Sequence, residues 1–282
     1  MNIKGSTNIV GLIGHPVEHS FSPPMHNAAF ESLGMDWAYV AFDVEPENVS
    51  SAINGAQALN IKGFNVTIPH KIEVMQHLNE LDDVASLIGA VNTIDFNNLK
   101  GYNTDGIGAI RAIEEVTSVK DKNVIVAGAG GASRAISFYL AKFGASSITI
   151  LNRNVDKAQN LARDISNSGL ISDVKSDSIS QINTYLKDAD ILVDTTPLGM
   201  DPHIDDEPIA KAENMHGDLV VFDAVYNPNE TVLLKEAIKA GAEPVYGIKM
   251  LLYQGAESFK IWTGMDAPID VMEDALNRHL GR

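Results

Sequence analysis

The chain has 282 residues, a net charge of −16 at neutral pH, 45% hydrophobic residues, 21% charged residues and no cysteine. This length and composition predict a globular protein with one large or two medium domains. The lack of cysteine excludes disulfides and thiol chemistry, and the acidic balance disfavours nucleic acid and anionic membranes as partners. The sequence shows no signal peptide or membrane span. We therefore expect a cytoplasmic protein that acts on a small molecule, and a homodimer is compatible with the sequence.

The first apolar segment is followed by a loop with two histidines. "NIVGLIG" (8–14) is rich in β-branched residues and predicts a strand. His15, Glu18 and His19 then match H-x-x-E-H, a zinc-protease spacing that works only on a helix. Pro16 biases His15 towards extended backbone, so we predict a loop at the strand exit and no metal site. A metal-dependent hydrolase built on these residues stays an alternative, which a chelator would expose.

Strand and helix patterns alternate through the first third of the chain. "PMHNAAFESLG" predicts a helix, with Ser22 as its N-cap and Gly34 as its stop. The segments that follow predict a strand, a helix, two strands and a turn into a short strand: "WAYVAFDV" (37–44), "EPENVSSAINGAQAL", "GFNVTI" (63–68), "AVNTIDF" (90–96) and "NNLKGYN". This order predicts an α/β layer.

A second unit begins near Asp105 with the helical pattern "GIGAIRAIEEV". "KNVIVAGAGGASRAISFYLAKFG" and "SSITILNRN" then predict strand, glycine loop, helix and strand, which is the order of a dinucleotide-binding unit. The tail from about 247 is helical. We therefore predict an N-terminal α/β substrate domain (1–105) completed by C-terminal helices (248–282), a Rossmann-type doubly wound nucleotide domain (106–247), and a cleft between them.

The glycine loop supplies Gly128, Gly130 and Gly131 directly after a strand and before a helix. Glycines permit the tight turn and the close approach of a pyrophosphate to the helix N-terminus. The third fingerprint position is Ser133, so we expect strand and helix to lie slightly further apart than usual. A glycine-rich turn in an unrelated α/β domain is the simpler alternative.

The next strand ends in Asn152, Arg153 and Asn154, where an NAD-preferring fold usually places an acid for the ribose hydroxyls. The planar guanidinium suits a phosphate and also stacks on adenine, which favours NADP. Lys157 lies one turn further on and is a second cation for the phosphate. Asp156 is an acid just inside the next helix, so binding of the ribose hydroxyls of NAD stays an alternative. For Arg153 the alternative is a solvated surface side chain without a ligand.

Two serines follow the first strand. Ser20 and Ser22 are two apart on a segment predicted to be extended, so both hydroxyls are expected on one side. Neighbouring neutral donors suit a ligand carboxylate. The alternative is an N-cap at Ser22 and an exposed Ser20.

Further polar candidates are scattered along the chain. In "GFNVTIPHK", Asn65 and Thr67 alternate with apolar residues, which predicts a polar face opposite a buried face that includes Ile68. Pro69 is expected to start a helix whose first turn holds Lys71. Taken alone, each of three others is a weak signal, with an N-cap as the plain role of the first: Asp105, Asn92 and Gln254.

Together these motifs resemble the shikimate dehydrogenase family, NADP-dependent enzymes of aromatic amino-acid biosynthesis. The motifs occur in the family's order from Val10 to about Gly264: "GLIGHPVEHSFSPPMHNAAF", "GFNVTIPHK", "AVNTI", "GYNTDG", "GAGGAS", "NRN", "TTPLGM" and "GIKMLLYQGAESFKIWTG". By this resemblance, Ser20 and Ser22 hold the substrate carboxylate, and the H-x-x-E-H match is an accidental overlap with the substrate loop.

The resemblance also implies the rest of the site. The substrate pocket would be lined by Thr67, Lys71, Asn92, Asp105, Tyr226 and Gln254, with Asn65 in support. The cofactor would be held by Gly128, Ala129, Gly130, Gly131, Ala132, Ser133, Asn152, Arg153, Asn154 and Lys157, with Ala224 and Gly247 beside the nicotinamide.

The chain departs from the family pattern at two positions. The usual Asn-Arg-Thr reads Asn-Arg-Asn, so Asn154 lacks a hydroxyl that would contact the phosphate. Asp194 stands where the family often has Asn or Ser, which adds an acid near the cofactor. The related quinate/shikimate dehydrogenases accept NAD as well as NADP, and the tail motif does not separate the two branches.

The implied reaction is the reversible reduction of 3-dehydroshikimate to shikimate by NADPH, on the route to chorismate. Lys71 is the candidate acid, with Asp105 hydrogen-bonded to the same hydroxyl region. An adjacent carboxylate favours the charged lysine, and hydride chemistry belongs to the nicotinamide, so no metal is required. The alternatives are a quinate/shikimate dehydrogenase that also uses NAD and a catalytically silent nucleotide sensor. The presence of both Lys71 and Asp105 argues against silence.

Overall fold

The structure is a computed structural model that describes residues 3–280. The chain forms two compact units. The first unit runs to Thr104 and resumes at Leu252, and the second comprises Asp105–Leu251. Within the described range, none of the helices has the length and apolar character to cross a membrane.

The first unit is built on a mixed six-stranded sheet. Its strands are β1 (Asn8–Gly14), β2 (Trp37–Asp43), β3 (Gly63–Val66), β4 (Glu80–Leu81), β5 (Thr93–Asp95) and β6 (Lys100–Tyr102). The strand order is β2-β1-β3-β5-β6-β4. β1 runs parallel to β2 and β3, whereas β5 runs antiparallel to β3 and β6. Three helices are interleaved with these strands: α1 (Ser22–Ser32), α2 (Val49–Ala58) and α3 (Asp83–Ile88).

The core of the first unit lies between this sheet and α2. Ile13, Ile53, Phe64 and Ile94 are buried in one cluster, to which α2 contributes Ile53. The last five residues of β1 are all buried, as expected for a β-branched strand with neighbours on both sides. The strand predicted from the apolar pattern of 8–14 is therefore confirmed.

The second unit contains a six-stranded parallel sheet. Its strands are β7 (Asn123–Ala127), β8 (Ser147–Asn152), β9 (Val174–Ser178), β10 (Ile191–Asp194), β11 (Val220–Asp223) and β12 (Glu243–Tyr246). Read from β9, the order is β9-β8-β7-β10-β11-β12, with every pair parallel. This is the order of the doubly wound dinucleotide-binding fold, so the Rossmann-type prediction is confirmed.

Helices alternate with these parallel strands. They are α4 (Asp105–Glu114), α5 (Gly131–Lys142), α6 (Val155–Asn167), α7 (Ile182–Tyr185) and α8 (Val232–Ala240), followed by α9 (Gly247–Thr263) and α10 (Ile269–His279). In α6 the buried residues are Ala158, Leu161, Ala162 and Ile165, the spacing of a one-sided helix. Within the first unit α10 packs against α1, and Trp262 of α9 donates a hydrogen bond to the carbonyl oxygen of Ile94 at 3.0 Å.

Several local predictions in the first unit are wrong. Phe21, not Ser22, is the N-cap of α1, because the helix already begins at Ser22, and proline is favoured in a helical first turn. β3 ends at Val66, where its pairing with β1 also ends. Ile68 is consequently 73% exposed, and Pro69 begins a turn instead of a helix. A 3-10 helix forms only at Glu73–His77.

Candidate active site

The histidine loop after β1 is not helical, as predicted. The Nδ1 atom of His15 lies 2.7 Å from Oδ1 of Asp43, and the hydrogen bond to this carboxylate and its charge raise the pKa of the exposed imidazole. Among residues 3–280, no three His, Asp or Glu side chains are grouped as metal ligands would be. The geometry thus gives H-x-x-E-H neither the helix nor the third ligand of a zinc site.

The two serines meet at the N-terminus of α1. The predicted extended segment is wrong, because Ser22 is the first helical residue; its backbone N–H donates to Oγ of Ser20 at 3.2 Å. Pro23 and Pro24 have no N–H, so this first turn offers an anion fewer backbone donors than usual. Hydroxyl groups beside a helix N-terminus are suited to an anionic ligand such as a carboxylate.

Asn65 lies at the centre of a buried polar cluster in the first unit. Its Nδ2 atom lies 3.2 Å from the carbonyl oxygen of Asn92, 3.1 Å from Oγ1 of Thr93 and 2.9 Å from Oγ of Ser258. The carbonyl oxygen only accepts, so Oδ1 of Asn65 faces the other way and accepts from the phenol of Tyr39 at 2.9 Å. Asn65 is 4% exposed, and these bonds fix its orientation.

Asn92 extends this cluster towards the end of the first unit. Its Oδ1 accepts from the backbone N–H of Thr104 at 2.7 Å, and its Nδ2 donates to Oγ1 of Thr104 at 2.9 Å. Ser258 of α9 accepts from Asn65 and donates to the carbonyl oxygen of Gln254, one turn earlier in the same helix, at 3.0 Å. The structure thus joins the side chains of two predicted residues, Asn65 and Asn92, through Thr93, and Gln254 is linked to this group through its backbone carbonyl.

Four members of the cluster carried no clear signal in the sequence: Tyr39, Thr93, Thr104 and Ser258. Each lies inside an apolar or short segment, and the bond between Asn65 and Ser258 joins residues 193 positions apart. The one sequence signal for such residues is a polar side chain within a predicted strand or on the apolar face of a predicted helix.

Thr67 and Lys71 lie on the turn that follows β3, and both are partly exposed. The backbone N–H of Thr67 donates to Ile13 at 2.9 Å, and the carbonyl oxygen of Lys71 accepts from Val91 at 2.8 Å. These bonds anchor the turn to the end of β1 and to the segment just before Asn92. Two other predicted residues belong to the second unit: Asp105 begins α4, and Tyr226 follows β11 with 37% of its surface exposed.

The glycine loop of the second unit has the geometry that a pyrophosphate requires. Gly128 has φ +107°, and a Cβ there would collide with the side chain of Thr195, so only glycine is suitable. Gly130 is the N-cap of α5, which places a helix N-terminus directly after the loop. Ser133 is fully buried and donates to the carbonyl oxygen of Gly128 at 2.7 Å. The serine in the third fingerprint position therefore closes the turn.

Neighbouring residues at the end of β8 and the start of α6 have different roles. Oδ1 of Asn154 accepts from the backbone N–H of Lys157 at 3.1 Å, which makes Asn154 the N-cap of α6. Nδ2 of Asn152 donates to the carbonyl oxygen of Asn154 at 2.9 Å. Arg153 and Lys157 have exposed side chains. Two cations at a helix N-terminus form a suitable environment for a phosphate group.

Gly247 and Ala224 lie close together. A Cβ on Gly247 would come within 2.5 Å of the carbonyl oxygen of Val225 and 2.7 Å of that of Ala224. No side chain fits at this start of α9, so the backbone after β11 and the first turn of α9 remain in close contact.

Two buried acids end neighbouring strands of the second unit. Asp194 is 1% exposed and Asp223 is fully buried. Burial raises the pKa of Asp194, and the charge of Asp223 raises it further. Burial also raises the pKa of Asp223, against the opposing effect of hydrogen bonds from Thr231 and Val225. The sequence pointed to Asp194 but not to its partner.

Comparison with known proteins identifies the family. A model of the shikimate dehydrogenase substrate binding domain matches residues 12–94, and one of shikimate/quinate 5-dehydrogenase matches residues 111–230. A shikimate 5'-dehydrogenase C-terminal domain matches residues 247–276. The NADP(+) shikimate dehydrogenase of Methanobrevibacter smithii is 72% identical over 278 residues, 99% of each chain. The chain belongs to the shikimate dehydrogenase family.

Other members of the family are similar to this chain over nearly its whole length. The NADP(+) shikimate dehydrogenase of Methanothermobacter thermautotrophicus is 56% identical over 282 residues, 99% of each chain. A crystal structure of a shikimate dehydrogenase in complex with NADP+ has a TM-score of 0.94 and 53% identity, covering 100% of this chain and 98% of that one. That of a shikimate 5-dehydrogenase from Listeria monocytogenes, in complex with shikimate and NAD, has a TM-score of 0.93 and 34% identity over 98% of each chain.

Proposed function

We propose that this protein catalyses the reversible, NADP-dependent interconversion of shikimate and 3-dehydroshikimate in aromatic amino-acid biosynthesis. The observation that carries the proposal is the 72% identity to an NADP(+) shikimate dehydrogenase across 99% of both chains. The first unit keeps the polar residues of a substrate site, and the second keeps the glycine loop of a dinucleotide site. A silent nucleotide sensor would have no need of the first set.

Each polar group of the first unit has a chemical counterpart in shikimate. Ser20 and Ser22, beside the N-terminus of α1, are suited to the carboxylate. Thr67, Asn92 and Gln254 are suited to the ring hydroxyls as neutral donors and acceptors. Asn65 is a support, because both ends of its buried side-chain amide are hydrogen-bonded to protein atoms.

The residues of the second unit fit NADP. The close approach at Gly128 and the helix N-terminus after Gly130 suit the pyrophosphate, and Arg153 with Lys157 suits the 2′-phosphate. Ala224 and Gly247 would lie beside the nicotinamide. When bound, the cofactor supplies the hydride that converts the ring ketone into an alcohol.

Reduction of the ketone adds a hydride at carbon and a proton at oxygen. We assign the proton to the ammonium of Lys71, which also stabilises the negative charge that develops on the oxygen. Asp105 would hold the same hydroxyl by accepting its hydrogen bond. In the oxidative direction the two residues act in reverse, with Lys71 taking the proton.

Initial rates test this function. Shikimate and quinate are each assayed with NADP and with NAD, following the absorbance of the reduced nicotinamide. We expect the highest kcat/KM for shikimate with NADP. Comparable rates with quinate and NAD would place the protein in the quinate/shikimate branch instead, and no reduced cofactor with any pair would refute dehydrogenase activity. Exhaustive chelation should leave the rate intact; a loss restored by added zinc would revive the metal-dependent alternative.

We further propose that the protein works in the cytoplasm, without nucleic acid or membrane partners, and that it can form a homodimer. The net charge of −16 supports the lack of nucleic acid and membrane partners, because it opposes binding to anionic polymers and surfaces. Light scattering during gel filtration measures the assembly: one subunit mass at all concentrations would contradict the dimer.

A further inference from the structure

Asp194 and Asp223 occupy in-register positions at the ends of two adjacent parallel strands, β10 and β11. Neighbouring strands lie about 4.8 Å apart, and in-register residues of parallel strands point to the same face of the sheet. The carboxyl groups are therefore close neighbours, and both are almost completely excluded from solvent.

Within residues 3–280, the neighbours of this pair on the flanking strands and its hydrogen-bond partners include no positive charge. The in-register neighbours on the flanking strands are Ala127 of β7 and Tyr246 of β12. The hydrogen-bond partners come from the loops that follow the strands: the backbone N–H groups of Thr196 and Val225, and the hydroxyls of Thr196 and Thr231. All of these groups are neutral. Two adjacent buried carboxylates without a cation cannot both remain ionised.

Both carboxyl groups are hydrogen-bonded to the loops that follow their strands. Asp223 accepts two: from the N–H of Val225 at 2.9 Å and from the hydroxyl of Thr231 at 2.6 Å. Asp194 also accepts two: from the backbone N–H of Thr196 at 2.7 Å and from the side chain of the same residue. The numbers of donors are therefore equal and do not by themselves assign the proton. Burial raises the pKa of both groups, and the charge of Asp223 raises that of Asp194 further, so Asp194 is the member that holds the proton.

These bonds also hold the loops at the carboxyl edge of the sheet. Asp194 binds the first turn of the loop after β10. Asp223 binds both ends of the segment between β11 and α8, because Thr231 is also the N-cap of α8. That segment contains Ala224 and Tyr226. Ligands of doubly wound sheets bind at this edge, so the positions of these loops determine the shape of a cofactor site there.

We propose that Asp194 and Asp223 share one proton and act as positioning residues, which fix the loops after β10 and β11 for NADP only while that proton is present. This rests on the proposed function, with the second unit as the NADP-binding one. Loss of the proton would place two like charges side by side in the protein interior and push the loops apart. NADP affinity should then fall in alkaline solution.

The test is the dissociation constant of NADP, measured by calorimetry on the full chain between pH 6 and pH 9. In the wild type we expect it to rise about tenfold, which corresponds to a shift of one pKa unit on binding. Asp194→Asn replaces the protonated acid by a neutral amide of the same shape, so its dissociation constant should change by less than about twofold. Asp190→Asn is the matched control: it precedes the same strand at the opposite edge and should keep the wild-type profile.

Infrared spectroscopy tests the proton itself without any cofactor. A C=O stretching band of a protonated carboxyl should be present in the wild type at neutral pH and absent in Asp194→Asn. An identical pH profile in wild type and Asp194→Asn, or no such band, would overturn the shared proton. If the wild type failed to bind NADP at any pH while the band was present, the proposed function and the positioning role would fail, but the shared proton would stand.

Discussion

Each unit contains a buried ionisable site of a different kind, a histidine in the first unit and a pair of aspartates in the second. In the first unit His26 of α1 is fully buried, and within residues 3–280 neither ring nitrogen has a hydrogen-bond partner. Its ring stacks on Tyr39 with the centroids 4.5 Å apart. Burial lowers the pKa of His26 to about 3, so the imidazole is neutral. The second unit instead buries the pair Asp194 and Asp223, whose pKa values burial raises.

This difference makes the two units sensitive to opposite extremes of pH. An unfolded histidine takes up a proton near pH 6.5, so the first unit loses stability as the pH falls from that value towards 3. Unfolded aspartates lose their protons near pH 4, so the second unit loses stability as the pH rises above that value through the raised pKa values of the pair. Acid therefore destabilises the first unit through His26, and a rising pH destabilises the second unit through the aspartate pair.

The predicted site residues of the two units also differ in their exposure to solvent. In the first unit, Asn65 and Asn92 belong to a buried hydrogen-bonded cluster, and Thr67 and Lys71 are partly exposed. Those that would bind the adenosine phosphate in the second unit, Arg153 and Lys157, are exposed. Substitutions in the first unit should therefore change turnover or stability, whereas those at exposed positions of the second should change cofactor affinity alone.

The largest effect is expected at Lys71 of the first unit, where a substitution should change turnover. Lys71→Ala should lower kcat by about two to four decades, because it removes both an acid and an electrostatic stabiliser. The KM for shikimate should change much less, and NADP affinity should be unchanged. Steady-state kinetics measure all three. Lys62→Ala, a lysine of the same unit whose Nζ bonds Oδ1 of Asn60 at 2.9 Å, is the control. A steep rise in KM at constant kcat would make Lys71 a binding residue only.

The next effect tests the acid sensitivity of the first unit. His26→Leu removes the buried imidazole and its titration. Relative to the wild type, the variant should gain about 3 kcal/mol in unfolding free energy between pH 7 and pH 4, if the folded pKa is about 3. Denaturant melts at the two pH values measure the difference. His203→Leu replaces an exposed histidine of the second unit and should show no such gain. Parallel pH profiles for wild type and His26→Leu would show that His26 is not the group responsible.

A smaller effect is expected at Arg153. A charge-assisted hydrogen bond contributes roughly 1.5–3 kcal/mol, which is about 10- to 150-fold in affinity. Arg153→Ala should weaken NADP by that factor and leave NAD nearly unchanged. Values of kcat/KM for both cofactors at matched salt test this, with Arg163→Ala of α6 as control, whose guanidinium bonds Asn160 at 2.9 Å. Equal losses for both cofactors would mean that the guanidinium stacks on adenine. A wild type that prefers NAD would favour Asp156 as the ribose ligand.

The sequence predicted those features whose cause is local. The apolar run of β1 and the succession of β7, glycine loop and α5 depend on neighbours along the chain, and the structure contains both. The two-residue β4 and the four-residue α7 were missed, since elements so short have no measurable periodicity. The start of α1 was displaced by one residue, because proline geometry prevailed over the capping preference of serine.

The site was predictable as a set of residues but not as a hydrogen-bonded structure. Asn65 was identified, but its bonds to Tyr39 and Ser258 join distant segments, and no local pattern encodes them. Asp223 was missed for the same reason: its significance arises only when β10 and β11 pair in register and place it beside Asp194. Long-range pairing turns two ordinary strand-end acids into a coupled pair.

The smallest effect separates two adjacent residues of the second unit. Asn154 caps α6 through its bond to the N–H of Lys157, whereas Arg153 is exposed. Asn154→Ala should therefore cost about 0.5–2 kcal/mol of stability, the usual range for a lost N-cap. NADP affinity should change by less than about threefold, since each 1.4 kcal/mol corresponds to a factor of ten and no charge is removed. Thermal melts and NADP titrations measure both quantities.

Asn154→Ser is the matched control for this last prediction, because serine also caps helices and should restore most of the lost stability. Arg153→Ala should show the reverse pattern, with reduced NADP affinity and an unchanged melting temperature. If Asn154→Ala instead lost NADP affinity as strongly as Arg153→Ala while keeping its stability, the amide would be a phosphate ligand and not a cap. The change from Thr to Asn relative to the family pattern would then matter for cofactor choice. A loss of stability alone would show that this change keeps the helix start, because Asn and Thr are both effective N-caps.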